Sequence, residues 1–136
     1  MFKRISHIGV VVEDLERATR FWCETYGLEK YREYETPVEC IRACLLSIGG
    51  DPTAMSIELI EPLDKSDMRN PVARRLARAG EGFYHLAVEV EDVAASAAAL
   101  IARKLPVMHR DPVEGITGER WLLHPHASNG IMVEGL

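Results

Sequence analysis

Two histidines and two glutamates stand in matched pairs along this chain. His7 opens the run His7-Ile8-Gly9-Val10-Val11-Val12-Glu13-Asp14-Leu15, and His85 opens His85-Leu86-Ala87-Val88-Glu89-Val90-Glu91-Asp92-Val93. The offset, 85 − 7 = 78, also relates Glu13 to Glu91 and Asp14 to Asp92. Each His is followed by a Glu inside a short apolar run. Glu58 lies 58 − 7 = 51 positions on, in Met55-Ser56-Ile57-Glu58-Leu59-Ile60, and Glu134 lies 134 − 85 = 49 positions on, in Ile131-Met132-Val133-Glu134-Gly135-Leu136. An imidazole or carboxylate in an apolar strand is costly to bury unless something satisfies it. One such residue is ordinarily a hydrogen-bonded structural group. Four of them, repeated as pairs, point to one shared partner, a divalent metal.

The same order of elements recurs around both pairs. Residues 4–12 alternate and are rich in Ile and Val, which predicts a strand with His7 on the face of Ile5, Gly9 and Val11. Asp14 suits the N-cap of a helix to about Tyr26, with Leu15, Ala18, Trp22 and Thr25 or Tyr26 as its stripe and Gly27 as its stop. Strands follow over 28–35, 39–48 and 54–61, with Gly49-Gly50-Asp51-Pro52 turning before the last. The second copy predicts a strand over 82–90, an Asp92-capped helix over 93–104, and strands near 105–110, 117–123 and 130–135. Alanine propensity, rather than periodicity, carries that helix. Between the copies, Asn70, Pro71 and Gly80 bound a short helix whose buried stripe would be Val72, Leu76 and Ala79, leaving Arg74, Arg75 and Arg78 on a solvated face. The expected class is α+β, one domain over 1–136: module one 1–66, a connector helix 67–80 and module two 81–136.

Composition sets the outer bounds. A chain of 136 residues is a typical single domain, and 47% hydrophobic with 27% charged residues is ordinary for a globular protein. The net charge of −5 argues against a nucleic-acid or anionic-membrane surface. No stretch is long enough to span a bilayer, and the apolar run after Lys3-Arg4 meets Glu13-Asp14 too soon for a signal peptide. Cys23, Cys40 and Cys44 form no CxxC and leave one thiol over, which reads as reduced thiols in a cytoplasmic protein. Cys40 and Cys44 would share one face of a strand as packing residues, and Phe21, Trp22 and Trp121 read as core. His109, His124 and His126 read as loop or surface residues, with His124 placed to buttress the last turn.

Two strand–helix–three-strand modules carrying His, Glu, His and Glu resemble the vicinal oxygen chelate superfamily, whose members include glyoxalase I, extradiol dioxygenases and methylmalonyl-CoA epimerases. Two stretches sharpen the likeness. Ile57-Glu58-Leu59-Ile60-Glu61-Pro62-Leu63, then Asn70-Pro71-Val72-Ala73 and Gly80-Glu81-Gly82-Phe83-Tyr84-His85-Leu86-Ala87, is similar to the epimerases. So is Gly115-Ile116-Thr117-Gly118-Glu119-Arg120, then Leu123-His124-Pro125 and Gly130-Ile131-Met132-Val133-Glu134. Glyoxalase I usually has an Asp-Pro-Asp/Asn-Gly turn before its last ligand strand, where this chain has His124-Pro125-His126-Ala127-Ser128-Asn129-Gly130.

The resemblance implies a curled mixed sheet forming a cleft, with His7, Glu58, His85 and Glu134 holding one ion. Such an imidazole and carboxylate set suits Co²⁺ first, and Ni²⁺, Mn²⁺, Zn²⁺ or Fe²⁺, over Mg²⁺ or Ca²⁺. Four ligands leave an octahedral ion two positions for a bidentate substrate. The implied activity is α-proton abstraction through a metal-stabilised enolate of an acyl-CoA thioester, followed by reprotonation on the other face. Glu134 would be both ligand and proton-transfer group. The second epimerase carboxylate falls on the segment Val38-Glu39-Cys40-Ile41-Arg42-Ala43-Cys44, whose only carboxylate is Glu39. A homodimer is implied as well. The alternatives are a glyoxalase I-type lactoylglutathione lyase and a non-enzymatic small-molecule binding protein on the same fold. A dioxygenase fits less well, because a fourth ligand fills a position needed for substrate and O₂.

Overall fold

A computed structural model describes all residues from 1 to 136. The order is β1 (Phe2–Val11), α1 (Leu15–Tyr26), β2 (Glu29–Thr36), β3 (Ile41–Ile48), β4 (Asp51–Pro62), α2 (Pro71–Ala79), β5 (Gly82–Val90), α3 (Val93–Ala102), β6 (Val107–Arg110), β7 (Arg120–Leu123), a 3₁₀ turn (Pro125–Ala127) and β8 (Met132–Gly135). This is an α+β chain with the predicted strand–helix–three-strand order twice over. It divides into two compact units, Ile8–Tyr84 and Met1–His7 with His85–Leu136. The cut falls inside β1, so His7 is grouped with the second copy of the repeat.

In the unit Ile8–Tyr84 the strands run β2-β3-β4-β1, with β2/β3 and β3/β4 antiparallel. Both faces of β3 and β4 are covered. Ile41, Ala43 and Ile60 turn to the α2 side with Val72 and Leu76, whereas Cys44, Leu46, Ile57 and Leu59 turn to Leu15 of α1. A strand's side chains alternate between faces, so Glu58 lies on the Ile60 side, opposite Leu45 in the ladder. Helix α1 starts where Asp14 accepts from the Arg17 N–H at 3.0 Å, and it stops at left-handed Gly27.

In the other unit β5 and β8 are parallel, and β6/β7 and β7/β8 antiparallel. Val88, Val90, Trp121, Leu123 and Val133 pack on Ala97 of α3. By the same alternation His85, Arg120 and Glu134 occupy the face turned away from α3. That parity selects which polar residues of this unit can meet.

Gly135 shows how tightly the α3 face is filled. It pairs with Trp121 across the ladder, and a Cβ there would lie 2.1 Å from the indole. The indole N–H donates to Ser96 Oγ at 2.8 Å, which pins the ring. Gly135→Ala therefore forces overpacking, with an expected loss of about 1–3 kcal/mol or more. Gly118→Ala, where nothing lies within 4 Å of the added carbon, is the matched control. Urea midpoints of the two variants check this; equal midpoints would contradict it.

Several sequence expectations are corrected. Strand β3 begins at Ile41, not at 39, because Pro37–Cys40 form a turn in which Cys40 has φ 53°. Cys40 therefore does not share a strand face with Cys44. Helix α3 ends at Ala102, and Lys104 turns the chain with φ 62°. Thr117 makes only an isolated bridge to Val113, so β7 starts at Arg120. Phe21 is 52% exposed, since α1 presents a narrow stripe, and Tyr26 is exposed too. In α2 the third buried residue is Ala73 rather than Ala79. Arg74 donates to Met68 O and Arg69 O, both at 2.9 Å, and Arg75 to Gly80 O and Phe83 O at 2.7 and 3.1 Å. These two guanidinium groups satisfy local carbonyls instead of forming a solvated face. His124 does buttress the last turn, its Nδ1 accepting from the His126 N–H at 3.2 Å.

Candidate metal centre

Within the unit Met1–His7 with His85–Leu136, three of the sequence-predicted ligands converge. His7 sits on β1, His85 on β5 and Glu134 on β8. His7 Nε2 lies 3.0 Å from His85 Nε2, and Glu134 Oε2 lies 3.6 Å from the former and 3.3 Å from the latter. The rings meet edge to face, with centroids 5.1 Å apart and planes at 83°. Both imidazoles therefore aim the same nitrogen at one point. Ser6 Oγ lies 3.2 Å from His7 Nδ1, on the other side of that ring.

The spacing tests whether an ion fits. Donors bonded at ~2.1 Å to one ion lie about 3.0 Å apart at octahedral angles and about 3.4 Å apart at tetrahedral ones. The separations of 3.0 and 3.3 Å fall within this range, and the third, 3.6 Å, lies just beyond it. Two imidazole nitrogens and one carboxylate oxygen, buried or nearly so, are also the donor chemistry of Co²⁺, Ni²⁺, Zn²⁺, Mn²⁺ and Fe²⁺ sites. The residues present fit such a group.

Glu134 is the most constrained member. Its Oε2 faces the histidines, while Oε1 accepts from Arg120 Nε at 2.8 Å. Burial works to raise this carboxyl, but hydrogen bonds and charge from His7 and His85 outweigh it and hold the group well below the usual carboxylate range. This favours the carboxylate form that a metal ligand needs. Arg120 was given no role by sequence reasoning. The available signal was its parity: it stands two residues before Leu122, the ladder partner of Glu134, and hence on the same face.

Glu58 and Glu39 belong to the other unit. Glu58 is 4% exposed on β4, and the Tyr34 hydroxyl donates to its Oε1 at 2.5 Å. Tyr34 stands opposite Ala43 in the β2/β3 ladder, on the Glu58 side. Glu39 lies in the Pro37–Cys40 turn, not on β3, with its N–H donating to Thr36 Oγ1 at 3.1 Å. On β3 the positions sharing the Glu58 face are Ile41, Ala43, Leu45 and Ser47, none of them acidic.

Comparison with known proteins agrees with this architecture. The sequence profile of the glyoxalase/bleomycin resistance protein/dioxygenase superfamily matches residues 6–122. An ethylmalonyl-CoA/methylmalonyl-CoA epimerase of Cereibacter sphaeroides is 30% identical over 138 residues, covering 98% of this chain and 97% of its own. The mitochondrial methylmalonyl-CoA epimerase of Bos taurus is 27% identical over 134 residues, covering 96% and 72%. Among solved structures, a variant of Streptomyces coelicolor methylmalonyl-CoA epimerase in complex with 2-nitronate-propionyl-CoA superposes with a TM-score of 0.87 at 30% identity, covering 99% of this chain and 96% of that one. The fold is the glyoxalase-like fold of these epimerases.

Proposed function

Because the chain belongs to the glyoxalase/bleomycin resistance protein/dioxygenase superfamily, we propose that it is a divalent-metal-dependent epimerase of acyl-CoA thioesters, with methylmalonyl-CoA as its first candidate substrate. The observation that carries this reading is the convergence of His7 Nε2, His85 Nε2 and Glu134 Oε2 at ion-ligand spacing. The likeness over nearly the whole chain to epimerases of this substrate class supports it.

His7, His85 and Glu134 would hold the ion. When bound, a divalent ion supplies Lewis-acid charge where negative charge develops on the substrate. The rest falls to the chain's own groups. Epimerisation removes the C2 proton from one face and returns a proton to the other, so it needs two proton-transfer groups. Glu134 is proposed as one and Glu39 as the other. His7 and His85, facing Glu134 Oε2 in a largely buried setting, fix where that oxygen stands. Glu58, which the sequence repeat pairs with His7 as Glu134 is paired with His85, is proposed as a further ligand; a full metal complement in Glu58→Ala would remove it.

The test is hydrogen exchange at C2 of methylmalonyl-CoA in D₂O, with Co²⁺-loaded protein and an EDTA-treated control. Deuterium entering both epimers only in the loaded sample is expected. A metal-loaded protein that gives no exchange above the control would reject methylmalonyl-CoA epimerisation and favour a hemithioacetal isomerase or another substrate of the same superfamily.

A further inference from the structure

The two carboxylates of the repeat are held alike but by different chemistry. Glu58 accepts at Oε1 from the neutral hydroxyl of Tyr34, whereas Glu134 accepts at Oε1 from the Arg120 guanidinium. In each unit the ladder partner of the Glu is a leucine, Leu45 for Glu58 and Leu122 for Glu134. Two residues before that leucine stands Ala43 in one unit and Arg120 in the other. The repeat therefore does not require an arginine here. Yet Arg120 is 5% exposed, and a charge so placed is costly to bury unless paired. Its Nη1 also reaches toward Asp111 O at 3.5 Å.

We propose that Arg120 is a positioning residue that confines Glu134 to one-oxygen coordination and so keeps an ion at this centre open to substrate. The inference rests on the metal-centre reading above. A carboxylate with both oxygens available can chelate, which consumes one more position on the ion. Here Oε1 is committed to a directional, charge-assisted bond, and Oε2 alone faces the two imidazoles. The guanidinium also offsets the carboxylate's charge, so more of a bound ion's charge remains for a developing anion.

The experiment loads the full chain with Mn²⁺ and measures water-proton relaxation per bound ion, which counts exchangeable coordination positions. Arg120→Met and Arg120→Ala, which carry no donor, release Oε1, and relaxivity per bound ion is expected to fall by roughly a third to a half as one open position is lost. Arg120→Lys, which keeps the charge and one donor, should restore most of it. Should Arg120→Met fail to fold, Arg120→Ala carries the comparison, since the space it leaves admits water to the freed acceptors without a fixed donor on Oε1. Unchanged relaxivity in the folded variants, with Mn²⁺ bound, would overturn the role of Arg120 alone. No Mn²⁺ binding by the wild-type chain would overturn this inference together with the metal reading.

Discussion

His85→Ala is expected to abolish tight metal binding while the fold survives. His85 supplies one of three converging donors, 3.0 Å from His7 Nε2 and 3.3 Å from Glu134 Oε2. Losing a partner that only hydrogen-bonds a ligand typically weakens metal affinity about 10- to 100-fold; losing a donor itself should exceed that range. The structural cost is smaller. The imidazole sits on the face away from Ala97 and Trp121, so the α3 core is untouched, and the cost is that of a lost buried hydrogen bond, about 1–3 kcal/mol. Thermal unfolding separates the two effects. A ligand that binds only the folded state at ~100 times its Kd stabilises by about 2.7 kcal/mol. Co²⁺ should therefore raise the wild-type melting temperature and leave that of His85→Ala unmoved. A normal metal content in the variant would sink the ligand assignment.

The three converging residues, His7, His85 and Glu134, were legible because the repeat makes them so. His7 and His85 open similarly patterned runs, each with a Glu about 50 positions on, and that pairing outweighs the ordinary reading of a lone strand histidine. The helix caps Asp14, Asn70 and Asp92 were equally plain, because short polar acceptors before apolar stripes have few other uses. Arg120 escaped for the opposite reason. Its counterpart is Ala43, so comparing the copies hides it, and an arginine after Gly118-Glu119 looks like a surface residue until the ladder is known. Tyr34 was missed likewise, since its bond to Glu58 joins residues 24 apart in sequence. Glu39 was misplaced because β-branched Val38 and apolar Ile41 flank it and resemble a strand. The turn is set instead by Pro37, which donates no N–H to a ladder, and by the positive φ of Cys40. Phe21 is one position off the α1 stripe, a distinction that a 100° helical step blurs in a short segment.

Glu134→Gln and Glu39→Gln should fail in different ways, and the difference decides how the proton moves. Both are expected to lose epimerisation by about 10²- to 10⁴-fold, the usual worth of a positioned acid or base. Glu134→Gln changes a ligand as well. An amide oxygen can still face His7 and His85, so some metal should remain, but the side chain that accepts from Arg120 Nε loses its charge, which weakens a buried ion pair. This variant should lose stability and lose exchange at C2 for the epimer whose proton faces Glu134. Glu39 lies in the Pro37–Cys40 turn, part-exposed, with its backbone N–H bonded to Thr36 Oγ1, and the hydrogen bond survives when the side chain becomes an amide. Glu39→Gln should therefore keep its stability and metal content. If Glu39 serves one face of C2, deuterium should still wash into the epimer whose proton faces the remaining group, while interconversion stops. Exchange followed separately for each epimer reads this directly. Wild-type epimerisation by Glu39→Gln would remove it from the mechanism and leave the second proton to another group, because Ile41, Ala43, Leu45 and Ser47 give β3 no carboxylate on the Glu58 face.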